Sequence, residues 1–442
     1  MSLQIRTLDL RGRRLTNAQY QELLPRAELD IASAMVTIEP ILEQVKKGDE
    51  SDLISLAQKY DGVTPPSIRV PASVIAEALA RLDPELKLAL EEAIRRIKKV
   101  HADQVRSPIS TTVVDGGTVE QRWIPVDRVG LYVPGGRAVY PSSVIMNVVP
   151  AQIAKVASIA VASPPQKENN GYPNATILAT CALLGVNEVY SVGGAQAVAM
   201  FAYGVKGLCE KTDMVTGPGN IYVAAAKRAL RGRIGIDSDA GPTEIGILAD
   251  DSAIASEVAA DLISQAEHDT IAASVLVTSS ERLVNEVRLE LADRAMRTKH
   301  HERVHIALSG IQSALVLVDS LEQGIDVVNA YAAEHLELLV SQPRIVAREI
   351  RNAGAVFLGR FSPVSLGDYS AGSNHVLPTG GCACHSSGLS VQSFLRGVNF
   401  IEYDEGAFLG IATNVITLAE AEDLPAHGEA ISVRIQNLAE QQ

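Results

Sequence analysis

The chain has 442 residues, with 39 Lys plus Arg against 52 Asp plus Glu, for a net charge of -13. At roughly 100 to 200 residues per domain this length suits two to four domains, and an acidic balance with no basic cluster excludes a nucleic-acid partner. Hydrophobic residues reach 47% against 21% charged, an ordered globular composition, and only 4% aromatics make the core aliphatic.

No uncharged apolar run approaches the ~18 residues of a membrane span. The opening MSLQIRTLDLRGRR lacks an apolar core after its basic residues, so the expectation is a cytoplasmic protein with no membrane partner. Four cysteines, Cys181, Cys209, Cys382 and Cys384, are too few for a disulfide framework in so long a chain. The CACH stretch offers Cys382, Cys384 and His385, but a structural zinc site usually pairs two such knuckles, and without a second one these read as ordinary thiols.

Up to about residue 105, ELDIASAMVTIEPILEQVKKG and VIAEALARLDPELKLALEEAIRRIKKVHADQV carry apolar residues three and four apart, which predicts two long helical segments. From about 113 short β-branched runs (VGLYVP, ASIAVASP, NEVYSVGG, DMVTGPGN) alternate with Ala-rich helical stretches, the pattern of βαβ units and a parallel sheet. A second round follows with EIGILADD, ASVLVTS, SALVLVD, ELLVS and AVFLG. The fold class is therefore α/β, with two similar halves. The expected domains are an N-terminal helical segment (1–112), a first α/β domain (113–240), a second (241–380) and a C-terminal arm (381–442). The divide falls near DSDAGPTE. After about 361 a long Gly- and Ser-rich stretch precedes a final helical piece at roughly 416–440, and so long a loop suggests function.

In SAIASEVAADLISQAEHD the apolar positions Ile254, Val258, Leu262 and Ile263 recur at helical spacing, which puts Gln265 and His268 on neighbouring positions of one face. Both can ligate one ion, although a histidine at a helix end more often caps it. Glu334 and His335 sit where NAYAAEHLELLV passes from helix to strand, expected at the carboxyl edge of a parallel sheet or beside it. From a turn they can face one cleft, the imidazole as base near neutral pH and the carboxylate as a second base acting on water. GDYSAGSNHVLPTGG holds Asp368 and His375 among glycines, and AEAEDLPAHGEA holds Glu422 and His427. No GxGxxG fingerprint is present. The turns VPGG (133–136), VGGAQ (192–196) and TGPGN (216–220) follow expected strands and precede helices, so their amides can meet a pyrophosphate.

Taken in order, GLYVPGG, PSSVIMNVVPA, VGGAQAVAMFAYG, VTGPGNIYV, IDSDAGPTE, DLISQAEHD, AEHLEL, GDYSAGSNHVLPT, SSGLSVQSF and EAEDLPAH resemble the signatures of the histidinol dehydrogenases. The resemblance implies oxidation of L-histidinol to L-histidine through histidinal, with two hydride transfers to NAD, in the last steps of histidine biosynthesis. It implies a homodimer with one Zn2+ per subunit, held by Gln265, His268, Asp368 and His427, with substrate nitrogens completing the shell. His335 matches the general base and Glu334 the residue that activates water. Thr243, His375 and Glu422 fall at substrate contacts, as do Gln265, His268, His335, Asp368 and His427. Tyr132, Gln196 and Asn220 fall at NAD contacts in the first α/β half. The family's two halves are incomplete Rossmann-like domains, which accounts for the missing fingerprint. Its C-terminal arm crosses to the partner, so Glu422 and His427 would complete the other subunit's site. Three departures stand out: Thr243 where Ser is usual, Ala333 where Pro is common, and CACH after LPT. Apart from the resemblance, the residues also suit a zinc hydrolase whose Glu334 activates a metal-bound water, or a metal-stabilised scaffold without activity.

Overall fold

The computed structural model describes residues 3–27, 30–135, 139–238 and 241–441. Glu28 and Leu29 of the first helical run, Gly136 of the VPGG turn, Asp239 and Ala240 with the boundary expected there, and the arm's last residue lie outside the described residues. The chain divides into two compact units, residues 1–104 with 126–394, and residues 105–125 with 395–442.

Strand β1 (Arg6–Asp9) lies in the N-terminal segment, and β2 (Ile109–Val114) and β3 (Gly117–Pro125) form a hairpin. The first α/β half supplies β4 (Arg128–Tyr132), β5 (Ser158–Ser163), β6 (Val189–Ser191), β7 (Met214–Thr216) and β8 (Gly235–Ile236). The second supplies β9 (Glu244–Ala249), β10 (Ala273–Thr278), β11 (Ala314–Leu317), β12 (His335–Leu339) and β13 (Ala355–Leu358), and β14 (Leu395–Tyr403) follows.

The first unit holds two parallel sheets. One runs β6-β5-β4-β7-β8 and the other β1-β11-β10-β9-β12-β13. Numbering each half's own strands from one to five, both have the order 3-2-1-4-5, the doubly wound arrangement without its sixth strand. The paired, incomplete Rossmann-like halves are thus visible in the connectivity. Strand β1 extends the second sheet by pairing in parallel with β11, from Arg6 opposite Ala314 to Asp9 opposite Leu317.

The N-terminal helices serve these sheets. Asp30 caps helix Ile31–Lys47 by accepting from Ser33 N at 2.9 Å, and its buried Ala34, Ile38, Ile41, Leu42 and Val45 recur at helical spacing. They share a core with Ala197, Val198, Phe201, Val223 and Ala226 from helices Gly194–Tyr203 and Ile221–Leu230 of the first half. The second long run is broken in two, Ala72–Ala80 and Pro84–Ala102, with a further helix Glu50–Tyr60 before it. The break has a local cause: Asp83 caps from outside, accepting from Leu86 N at 2.9 Å, and Pro84 suits a first helical position but not an interior one.

The second unit consists of an antiparallel sheet β14-β3-β2 and two helices, Glu405–Ala421 and Pro425–Glu440. Asp423, in the left-handed region at φ 56°, and Pro425 separate the helices. Among the described residues no helix is long and apolar enough to cross a membrane.

Candidate active site

Helix Leu321–Tyr331 stops at Ala332, a non-glycine residue in the left-handed region (φ 50°, ψ 57°), a conformation uncommon enough to mark a constrained turn. Three residues later His335 opens β12, opposite Ile245 of β9 and Ala355 of β13. The Glu334–His335 pair therefore lies at the amino edge of the second sheet, not at the carboxyl edge suggested by the helix-to-strand transition. The preceding helix runs antiparallel to the strands, so its end delivers the chain to the strands' beginnings.

From this edge the side chains connect. Glu334 Oε2 accepts from Thr243 Oγ1 at 2.5 Å and from Glu244 N at 3.0 Å. Thr243 Oγ1 accepts in turn from Gln265 Nε2, near the end of helix Ala255–Ala266. His335 Nδ1 lies 3.4 Å from Glu334 Oε2 and 3.3 Å from the Glu244 carbonyl, while its Nε2 lies 3.6 Å from Asp368 Oδ1. His375 is held on both sides, Nδ1 3.0 Å from the Asp368 carbonyl and Nε2 3.3 Å from Ser143 Oγ. Thr243, Gln265, Glu334, His335, Asp368 and His375 thus form one contiguous set, and His268 is near enough for its charge to act on Asp368.

Charge within the set is strongly redistributed. Burial by itself would depress the His335 imidazolium, but the Glu334 and Asp368 carboxylates outweigh it and raise the group to about 10. In this arrangement His335 is a cation at neutral pH rather than the base near 6.5 expected of an ordinary imidazole. It can accept a proton only after giving up the one it holds beside these carboxylates. Asp368 is held below the usual carboxylate range in spite of burial, chiefly by His335, and burial keeps His375 neutral. Beneath them Glu244 is raised by burial and partly restrained by Arg26, whose Nε lies 2.6 Å from Glu244 Oε2. Arg26 also donates to the Tyr331 carbonyl and stacks 4.2 Å over the Tyr331 ring. The sequence does not single out Arg26, Glu244 or Ser143; an acid heading the apolar strand EIGILA is the nearest local signal.

Two buried atoms in the set have no hydrogen-bond partner among the described residues, Gln265 Oε1 and His335 Nε2. A buried amide oxygen without a donor costs roughly 1–3 kcal/mol, and it is the atom a cation would satisfy. With the His268 imidazole and the Asp368 carboxylate, it makes a donor set of the types zinc accepts, one short of four. Among the described residues no group of three His, Cys, Asp or Glu could hold a metal. His427, on helix Pro425–Glu440, and Glu422, which ends helix Glu405–Ala421, are exposed members of the second unit.

The remaining expected residues lie along the carboxyl edge of the first sheet. Tyr132 ends β4 and accepts from Gly194 N at 3.2 Å through its hydroxyl, which burial pushes up to about 12. Gln196 is buried in the first turn of helix Gly194–Tyr203. Asn220 caps helix Ile221–Leu230, accepting from Tyr222 N and Val223 N at 3.0 and 3.2 Å. The TGPGN loop is clamped from behind. Lys227 Nζ donates to Asp237 Oδ1 at 2.6 Å and to the Gly217 carbonyl, and Gly217 N donates to Asp237 Oδ2 at 2.7 Å. Gly217 has φ +114° and its missing side chain would strike the Tyr132 carbonyl, so only glycine fits. Lys227 and Asp237 are 1% and 3% exposed; a lysine inside IYVAAAKRAL was the overlooked signal for this pair.

Comparison with known proteins covers nearly the whole chain. A sequence profile of the histidinol dehydrogenase family matches residues 24–435. The chain is 63% identical over 431 residues to histidinol dehydrogenase of Thermobifida fusca (strain YX), covering 98% of each. It is 56% identical over 433 residues to that of Mycobacterium tuberculosis (strain ATCC 25618 / H37Rv), covering 97% of this chain and 98% of the relative. The crystal structure of histidinol dehydrogenase from Elizabethkingia anophelis superposes with a TM-score of 0.91 at 33% identity, over 99% of this chain and all of the other.

Proposed function

This chain belongs to the histidinol dehydrogenase family of oxidoreductases, and on that premise we propose that it oxidises L-histidinol to L-histidine through histidinal, reducing two NAD and using one zinc ion per subunit. The observation that carries the reading is the connected set Gln265–Thr243–Glu334–His335–Asp368, with two buried polar atoms left unpartnered inside it.

Gln265, His268 and Asp368 would hold zinc, with His427 supplied by a second copy of the chain. Zinc bound there would supply a fixed positive charge that anchors the substrate through its nitrogens. Tyr132, Gln196 and Asn220 would hold NAD, which would supply the hydride acceptor for each oxidation. The side chains move the protons. Once it has released the proton it holds beside the Glu334 and Asp368 carboxylates, His335 takes the hydroxyl proton as the hydride leaves, because an alcohol is too weak an acid to ionise in advance. Glu334, fixed by Thr243 and the Glu244 amide, takes a proton from the water that adds to the aldehyde, while His335 returns its proton to the carbonyl oxygen and is again free to accept one. His335 then takes the proton of the resulting gem-diol as the second hydride departs. His375, with Glu422 from the second copy, would complete the substrate's surroundings.

Two-chain sites are supported by the second unit, where Ile401, Leu409, Ile411, Leu418 and Leu424 are exposed on a sheet and helices too apolar for solvent. The decisive experiment is reduction of NAD by the purified protein, expected only when histidinol is supplied. His335→Asn should abolish it with fold and zinc content intact, and retained turnover would remove His335 as the base.

A further inference from the structure

A dinucleotide crossing the carboxyl edge of a sheet ordered 3-2-1-4-5 usually meets an acid near the end of the second strand, which accepts from its ribose hydroxyls. In the first sheet that strand is β5, and it runs from Ser163 into Pro164 and Pro165 without an acid. A carboxylate arrives there from another part of the chain. Asp61, at the C-terminal end of helix Glu50–Tyr60, packs against the turn that follows β6. A side chain starting at Gly193 would meet Asp61 Oδ1 at 2.9 Å and the Pro164 ring at 3.0 Å. Asp61, Pro164 and Gly193 therefore converge just beyond the ends of β5 and β6, beside Gly194, whose amide binds the Tyr132 hydroxyl.

The neighbourhood is short of hydrogen bonds. Asp61 Oδ2 is buried and, among the described residues, no donor reaches it. Ser163 Oγ, fully buried at the end of β5, is likewise without a partner, and it lies 3.0 Å from where a side chain at Gly135 would begin. A carboxylate kept for structure would be paired, since an unpaired one costs stability and offers nothing to the fold in return. Burial raises the Asp61 carboxyl to about 6, which measures that cost and still leaves the group ionised at neutral pH.

We propose that Asp61 accepts from the adenosine-ribose hydroxyls of NAD and so selects NAD over its 2′-phosphorylated counterpart. The inference rests on the reading that NAD binds along the first sheet. A carboxylate in this position gains two hydroxyl donors from an unmodified ribose, whereas a 2′-phosphate would bring a second anion against it in a half-buried site. It stands in for the missing acid of the second strand, delivered by an N-terminal helix.

The test uses ADP-ribose, which contains the adenosine half and no nicotinamide, titrated by calorimetry into the full-length zinc-loaded protein and its Asp61→Asn variant. The variant should bind ADP-ribose roughly tenfold to a hundredfold more weakly, the size of a lost charged hydrogen bond, while nicotinamide mononucleotide binds equally to both. Its preference for ADP-ribose over 2′-phospho-ADP-ribose should narrow by at least about tenfold. Should Asp61→Asn not fold by circular dichroism, Asp61→Glu, which keeps the charge and displaces it by a methylene, should show the same selective loss. A variant that binds ADP-ribose as tightly as the parent overturns the assignment of Asp61. Failure of the parent protein to bind NAD or ADP-ribose overturns the cofactor reading, and this one with it.

Discussion

Replacing Asp61 by Asn should make the nucleotide-free protein more stable at neutral pH. The carboxyl is raised from 3.8 to about 6, with burial as the cause. The folded state thus holds this proton more tightly than the unfolded chain does. The stability contributed by the protonated acid is complete below about pH 4 and is lost as pH rises through about 6. At about 1.4 kcal/mol for each tenfold in the proton equilibrium, the two ends differ by ~3 kcal/mol. Asparagine is neutral throughout, but its amide protons also need partners, so the expected gain is ~2 kcal/mol near pH 8, shrinking to nothing near pH 4. Urea unfolding followed by circular dichroism, at fixed protein concentration in nucleotide-free buffer, reads this as a shift in midpoint at each pH. A parent protein as stable as the variant near pH 8, or a difference independent of pH, would refute the reasoning that an unpaired acid is being held at a cost.

Lys227→Met should destabilise by ~3–5 kcal/mol, because it leaves the buried Asp237 without its counter-charge. Adding Asp237→Asn should recover part of that loss in the same unfolding assay, and strictly additive losses would show that the two are not coupled. Glu334→Gln should retain the first hydride transfer and slow the second by roughly 10²–10⁴, so that NADH formed per histidinol in a single turnover falls toward half; an unchanged yield and rate would remove Glu334 from the water step. His427→Ala and His335→Asn should each be inactive alone. Mixed and exchanged, they should recover roughly a quarter of the parent activity if each site draws on two chains, and no recovery despite proven exchange would place each site within one chain.

The strands β4 to β7 and β9 to β13 were legible because each is a short apolar run bounded by glycine or polar turns. Strand β1, four residues long with Arg6 and Thr7, and β8, two residues long, are too brief to show a period. The sheet β14-β3-β2 joins segments far apart in the chain, which leaves no local trace. The Asp115–Gly116 turn, with Gly116 at φ +78°, is the hairpin signal that was available. At the site, helical spacing placed Gln265 on its helix, but that helix ends at Ala266 and His268 lies in the turn beyond it rather than on the same face; the adjacent Glu334 and His335 stood out by their chemistry. Their edge of the sheet was not readable, since it depends on where β12 begins after the left-handed turn at Ala332. Nor was the raised His335, because it depends on how far Glu334 and Asp368 together outweigh burial, and Asp368 lies on a separate short helix, Val364–Tyr369. Arg26 and Glu244 meet across the whole first half of the chain.

The proposed use of opposite edges in two sheets of the same order, NAD at one and zinc at the other, has an electrostatic rationale. Helices in βαβ units run antiparallel to their strands, so helix N-termini gather at the carboxyl edge and C-termini at the amino edge. In the first sheet, helices Gly194–Tyr203 and Ile221–Leu230 begin beside Tyr132 and Gly217, and their positive dipole ends favour a pyrophosphate. In the second, helices Ala255–Ala266 and Leu321–Tyr331 end beside Thr243 and Glu334, and their negative ends add to Glu334 and Asp368 to favour a cation. The assignments cannot be exchanged: an anionic cofactor at the second site would face carboxylates and helix C-termini, and the first edge offers a metal no comparable donor set. One architecture, duplicated, thus presents fields of opposite sign at its two edges, as the proposed reaction requires.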